Sequence, residues 1–153
     1  MKILVFAALV CLAVGEMGAT TAAAKQGSSR EAEAMVKRAV ALVASVGSEA
    51  AFAEINNPTG PFVDGDLYLF VIDTKGTTLA HGFNKQLIGK NMLELRDPRG
   101  RFFIKEFIAL AETKGQGWVD YEFTNPLTKK IEKKSTFVEK HGDLILGCGI
   151  YKP

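Results

Sequence analysis

The sequence predicts an α+β domain, an antiparallel sheet of five strands led by a long helix and interrupted midway by a helical insertion. Three observations predict it. Apolar residues from Ala32 to Val46 recur at spacings of three and four, the stripe of an amphipathic helix. Further on, apolar and aromatic residues run together or alternate in short stretches, as strands require. Between the second and third of these stretches lies a turn-rich segment followed by a second helical pattern.

Each element has its own signal. Ser28, followed three residues later by Glu31, is a capping-box pattern, so the first helix is expected to start there. Gly47 loosens it, Ala50, Phe52 and Ala53 resume it to about Ile55, and Asn56 to Pro61 break it. Leu67 to Ile72 is a continuous apolar run, long enough for a central strand and too short for a helix. Asp73-Thr74-Lys75-Gly76 supplies a turn, and Thr77 to His81 returns as the hairpin partner. After a loop containing Gly82, Asn84 and Gly89, Asp97-Pro98 reads as N-cap and first helical residue. Phe103, Phe107, Leu110 and Ala111 give that second helix its buried face, and Gly115 and Gly117 end it. Trp118 to Phe123, Ile131 to Glu139 and Leu144 to Tyr151 then form three strands, separated by turns at Asn125-Pro126 and His141-Gly142-Asp143.

The front of the chain carries a compartment signal. Lys2 precedes an uncharged apolar run from Ile3 to Val14, and small residues end in Ala22-Ala23-Ala24, the pattern of a cleaved export signal. The run is about a dozen residues, short of the roughly 20 that span a bilayer core. Residues 1–24 are therefore expected to be removed near Ala24, leaving 25–153 as one domain in the periplasm or secreted. Removal takes away Lys2 and Glu16, so the net charge stays at +2. That balance points to neither nucleic acid nor an anionic membrane as partner. Only Cys148 follows the signal, so no intramolecular disulfide is expected, and with two histidines far apart no metal or cofactor site is predicted.

The order of elements, carried on these residues, resembles the single Cache domains (type 2), PAS-like extracytoplasmic sensor modules. The resemblance rests on Phe52 to Phe62, on Asp66 to Asp73 with Gly76, and on Leu79-Ala80-His81. It continues through Leu87 to Asn91, Asp97 and Gly100, Gly117 to Tyr121, Asn125-Pro126, Lys134 and Gly149-Ile150-Tyr151. It implies a PAS-like five-stranded sheet and one ligand pocket between sheet and insertion. It also implies short carboxylates such as acetate, propionate, pyruvate or lactate as ligands. Phe137 stands where the resemblance leads one to expect a tyrosine, removing one hydroxyl from the pocket. The chain ends two residues after Tyr151 without an output domain. The expectation is thus a sensor module alone, or a docking subunit of a membrane-bound kinase, chemoreceptor or transporter. The first helix serves equally well as core of a monomer or seam of a homodimer.

Five residues are candidates for the ligand site. Lys134 lies mid-strand, and a carboxylate leaving water needs a fixed cation or several donors. The opposing reading is a solvated lysine beside Lys129, Lys130 and Lys133. Tyr121 and Tyr68 carry hydroxyls that need partners when buried. His81 is a donor at a strand end, where a structural role competes. Trp118 is balanced between core and pocket, since alternation sets it and Tyr121 on opposite faces. Arg99 and Arg101 are weaker candidates for covering the pocket. There is no Gly-x-Ser-x-Gly, no His-Glu-x-x-His and no paired nucleophile, so an enzyme is not expected. Cys148 reads as a packed residue.

Overall fold

The computed structural model describes residues 25–152. The predicted export segment, residues 1–24, lies outside the described residues. Helix α1 spans Ser29–Val46, and its start is the predicted capping box: the Ser28 hydroxyl accepts from the Glu31 amide while Glu31 reaches back to Ser28. Gly47, at φ 82, breaks the helix, and α2 follows at Ser48–Ile55. A two-residue strand β1 (Val63–Asp64) pairs with the start of β2 (Leu67–Asp73). β3 (Thr78–His81) returns from the predicted turn, which the Asp73 carboxylate closes by accepting from the amides of Lys75 and Thr77.

The insertion corrects one expectation. Asp97-Pro98 does not open a helix; α3 begins at Phe103 and runs to Lys114. One carboxylate oxygen of Asp97 accepts from the amides of Arg99 and Arg101, and the other accepts from Glu122 on the next strand. The Gly100 amide donates to the Asp97 carbonyl at a left-handed φ of 80. Asp97 therefore closes a tight turn and docks it on the sheet, a turn role that competes with helix capping for the same side chain.

Three long strands complete the sheet: β4 (Gln116–Thr124), β5 (Ile131–His141) and β6 (Leu144–Tyr151). The five main strands lie in the order β3-β2-β6-β5-β4, all antiparallel, and β1 adds a sixth, short one. Alternation along each strand divides the core in two. Leu69, Val71, Phe137, Leu146 and Cys148 meet Met35, Val36, Ala39 and Val43 of α1 on one face. Phe70, Ile72, Tyr121, Val138 and Ile145 meet Phe103, Ile104, Phe107 and Ala111 of α3 on the other. Each fully buried aliphatic or aromatic side chain contributes roughly 1.5–3 kcal/mol, so both layers are needed to hold the sheet.

Candidate functional site

The site lies on the α3 face, where β2, β5 and β6 pass each other. The pairing register sets Lys134 of β5 opposite Tyr121 on one side and Tyr151 on the other. Glycines on β6 make room for it. A Cβ built at Gly149 would sit 2.4 Å from Lys134 Cε and 2.3 Å from Thr136 Oγ1. One at Gly147 would sit 2.4 Å from the Phe70 ring. The Gly147-Cys148-Gly149 run thus forms a trough in which the lysine stem and one aromatic ring lie flat on the strand.

Lys134 is not a solvated lysine, since only 1% of it is exposed. Its Nζ donates to Tyr68 Oη at 2.6 Å and stands 4.1 Å from the Tyr68 ring centre and 4.7 Å from that of Tyr151. Among the described residues, no carboxylate oxygen lies within 4 Å of it. Burial pushes its pKa down to about 7, with weak opposition from Cys148 and Asp66. An ammonium has three donors, and one protein oxygen meets them.

Around the lysine, every polar group is oriented. The Tyr151 hydroxyl donates to the Thr124 carbonyl at 2.8 Å and stands 3.4 Å from Tyr68 Oη. Tyr121 stacks on Phe103, ring centres 4.4 Å apart, and its hydroxyl is 3.0 Å from Thr136 Oγ1. Burial raises the phenol pKa of both Tyr68 and Tyr121 well above the ordinary value, so both remain protonated donors. His81 stacks on Tyr68 at 5.0 Å, and its Nδ1 accepts from the amides of Phe83 and Asn84. Burial, then the nearby Lys134 charge, lowers its pKa to about 4. The neutral ring therefore carries its proton on Nε2.

The structure brings Lys134, Tyr68, Tyr121 and His81 together and leaves Trp118 out. Trp118 packs on Phe137 beneath α1, and its indole N–H donates to Glu33 at 3.0 Å, on the far face of the sheet. Strand alternation is the reason: no bulge is present between Trp118 and Tyr121 to turn it over. Phe137 sits on that same α1 face, so the expected loss of a pocket hydroxyl does not apply there. Arg99 is paired with Glu122 and Arg101 with Glu106. Sequence reasoning missed Tyr151, Thr136 and Phe123. Tyr151 had a signal, because alternation puts it on the same face as Gly147 and Gly149.

Two cavities flank Tyr68 and His81. The inner one, about 40 Å³, lies among Phe70, Ile72, Met92, Leu95 and Phe107. The outer one, about 280 Å³, lies among Phe83, Leu87, Phe123, Pro126 and Lys129. Among the described residues, no group of His, Cys, Asp and Glu is arranged to hold a metal ion, and no helix is long and apolar enough to cross a membrane.

This geometry has relatives. The chain is 35% identical over 88 residues to the sensor histidine kinase MctS of Rhizobium johnstonii, covering 56% of this chain and 19% of the kinase. It is 28% identical over 90 residues to the methyl-accepting chemotaxis protein McpP of Pseudomonas putida, covering 58% of this chain and 16% of that protein. The match thus spans less than a fifth of the length of either. Among solved structures, a periplasmic sensor domain of a chemotaxis protein superposes with a TM-score of 0.65 at 26% identity, over 81% of this chain and 90% of that one. A Cache chemosensory domain solved for its carboxylic acid recognition gives 0.64 at 26% identity, over 81% and 88%. A methyl-accepting chemotaxis protein of Vibrio parahaemolyticus shares the fold, with a TM-score of 0.70 at 22% identity over 80% and 86%. The family described as single Cache domain 2 matches residues 6–152, the whole described domain included, and the chain belongs to that family.

Proposed function

We propose that this domain is an extracytoplasmic sensory module that binds a small organic acid by its carboxylate. The single observation that carries this reading is Lys134, a fully buried cation with one hydrogen-bond partner and no counter-ion among the described residues. A buried charge left unpaired is costly, and a carboxylate supplies both the charge and the acceptors it lacks. The Tyr68 hydroxyl and the His81 Nε2–H are the neighbouring donors, and Tyr121 closes the wall of the site. The family, and the carboxylic acid recognition named for one of its solved relatives, support the same ligand class. The related kinase and chemoreceptor support transmission of occupancy to a membrane-bound signalling protein. The extracytoplasmic place rests on the same kinship, the solved neighbour being a periplasmic domain.

The test is a thermal-shift and calorimetric screen of the purified protein against small carboxylates, beside the Lys134→Met variant. A ligand at 100 times its dissociation constant stabilises by about 2.7 kcal/mol, an upward shift of several degrees. Shifts with the wild type that vanish in Lys134→Met support the reading. Equal shifts in both proteins remove Lys134 from the site.

A further inference from the structure

The two cavities differ in what they admit, and the difference bears on ligand class. The inner one, about 40 Å³, corresponds to a few waters at about 10–15 Å³ each. It is far smaller than the roughly 150 Å³ that accommodates an aromatic ring. The outer one, at about 280 Å³, exceeds the roughly 150 Å³ known to accommodate benzene in an apolar cavity. Four rings line it: Tyr68, His81 and Phe123, which line the inner cavity as well, and Phe83.

Phe83 is 45% exposed, one of the few large apolar side chains left in water, and its ring centre stands 5.9 Å from that of Tyr68. Leu87 and Pro126 complete the apolar lining. Two acceptors there are already engaged: the Asn84 side-chain oxygen accepts from the Gln86 amide, and the Thr124 carbonyl accepts from Tyr151. Lys129, at the rim, rests over the Phe83 ring at 5.1 Å. An aromatic ring finds stacking surfaces there in Tyr68, His81, Phe83 and Phe123.

The geometry points to an aromatic monocarboxylate as the ligand: the carboxylate at His81 and at Tyr68, to which Lys134 Nζ donates, the ring in the outer cavity lined by Phe83 and Phe123. This inference rests on the carboxylate reading of Lys134 given above. The test is calorimetric titration of the purified protein with benzoate, acetate and propionate, repeated with Phe83→Ala. Position 83 is half exposed, so that variant is expected to fold.

Benzoate is expected to bind at least about tenfold tighter than acetate, the least that five further heavy atoms contribute. Phe83→Ala is expected to weaken benzoate by about three- to tenfold and leave acetate unchanged. Acetate or propionate binding as tightly as benzoate overturns the aromatic assignment and leaves the carboxylate site standing. So does benzoate affinity that ignores Phe83→Ala. Folded wild-type protein that binds none of the three overturns the carboxylate reading and this inference together.

Discussion

An ammonium shut away from water is tolerated only if something repays its lost hydration, and at Lys134 the protein alone does so poorly. One phenol oxygen and three ring faces surround it. Its pKa, lowered by burial to about 7, expresses that deficit. Replacing Lys134 with methionine keeps the volume of the stem and removes the charge. The variant is expected to lose carboxylate binding and to gain stability at neutral pH on the order of 1–3 kcal/mol, as buried charges replaced by apolar groups often do. Denaturant melts of both proteins check the second half; a destabilised methionine variant would show the cation to be well compensated. A bound anion restores the charged form, so binding couples to a proton. Above pH 7 the free lysine is largely neutral and must take up a proton when the acid binds. Apparent affinity is expected to fall up to about tenfold per pH unit above 7. Titration at pH 8 in buffers of different ionisation heat should register uptake of nearly one proton per ligand. A flat profile from pH 6 to 9 means that this lysine is already charged in the free protein.

At the scale of elements, the strand β6 creates the site by what it omits. An alanine at position 149 must displace both Lys134 and Thr136, since the added carbon meets them at 2.4 and 2.3 Å. Gly149→Ala is therefore expected to destabilise by about 1–3 kcal/mol, the range for overpacking, and to abolish ligand binding. An alanine at Gly142, where φ is 58 but nothing lies within 4 Å of the added carbon, is expected to cost stability and spare binding. Loss of binding in both variants would mean that the trough has no special part. The elements differ in how far the sequence revealed them. α1 was legible because capping box and apolar stripe agree, and β2 and β6 because their runs are continuous and bounded by turns. The start of α3 was not, because Asp-Pro suits a helix cap and a tight turn alike. The turn wins through the Glu122 amide, 25 positions away along the chain. The site shows the same divide. Alternation places Tyr121 and Lys134 each on a face, but only the register fixed by the β4–β5 connection sets them side by side. Alternation likewise gives the face of Tyr151, while its place beside Lys134 comes from the β5–β6 register.

For the molecule as a whole, the buried titratable groups act on stability in a definite order along the pH axis. His81 has a pKa of about 4 when folded against an ordinary 6.5, so between these values the unfolded chain binds the extra proton and acid favours unfolding. Stability therefore rises with pH from about 4 to 6.5 on its account. Lys134 repeats the sign at higher pH: folded about 7 against 10.5 unfolded, it adds stability as pH climbs between them. Cys148 reverses it. Burial raises its thiol pKa to about 12 from 9.0, so above pH 9 the unfolded chain ionises first and stability declines. The raised phenols of Tyr68 and Tyr121 push the same way from pH 10 upward. Together these groups place the highest melting temperature at about pH 9, on the alkaline side of neutrality. Calorimetric scans from pH 4 to 10 test it, and Lys134→Met separates the contributions. That variant is expected to keep the acid-side rise, which belongs to His81, and to lose the rise between pH 7 and 9. The lysine's share of that rise is on the order of 2 kcal/mol. A wild-type maximum at pH 5 to 6 would mean that Lys134 stays charged at neutral pH, with water or backbone supplying what the side chains around it do not. Its affinity for carboxylates should then be independent of pH across the neutral range, and the two measurements check each other.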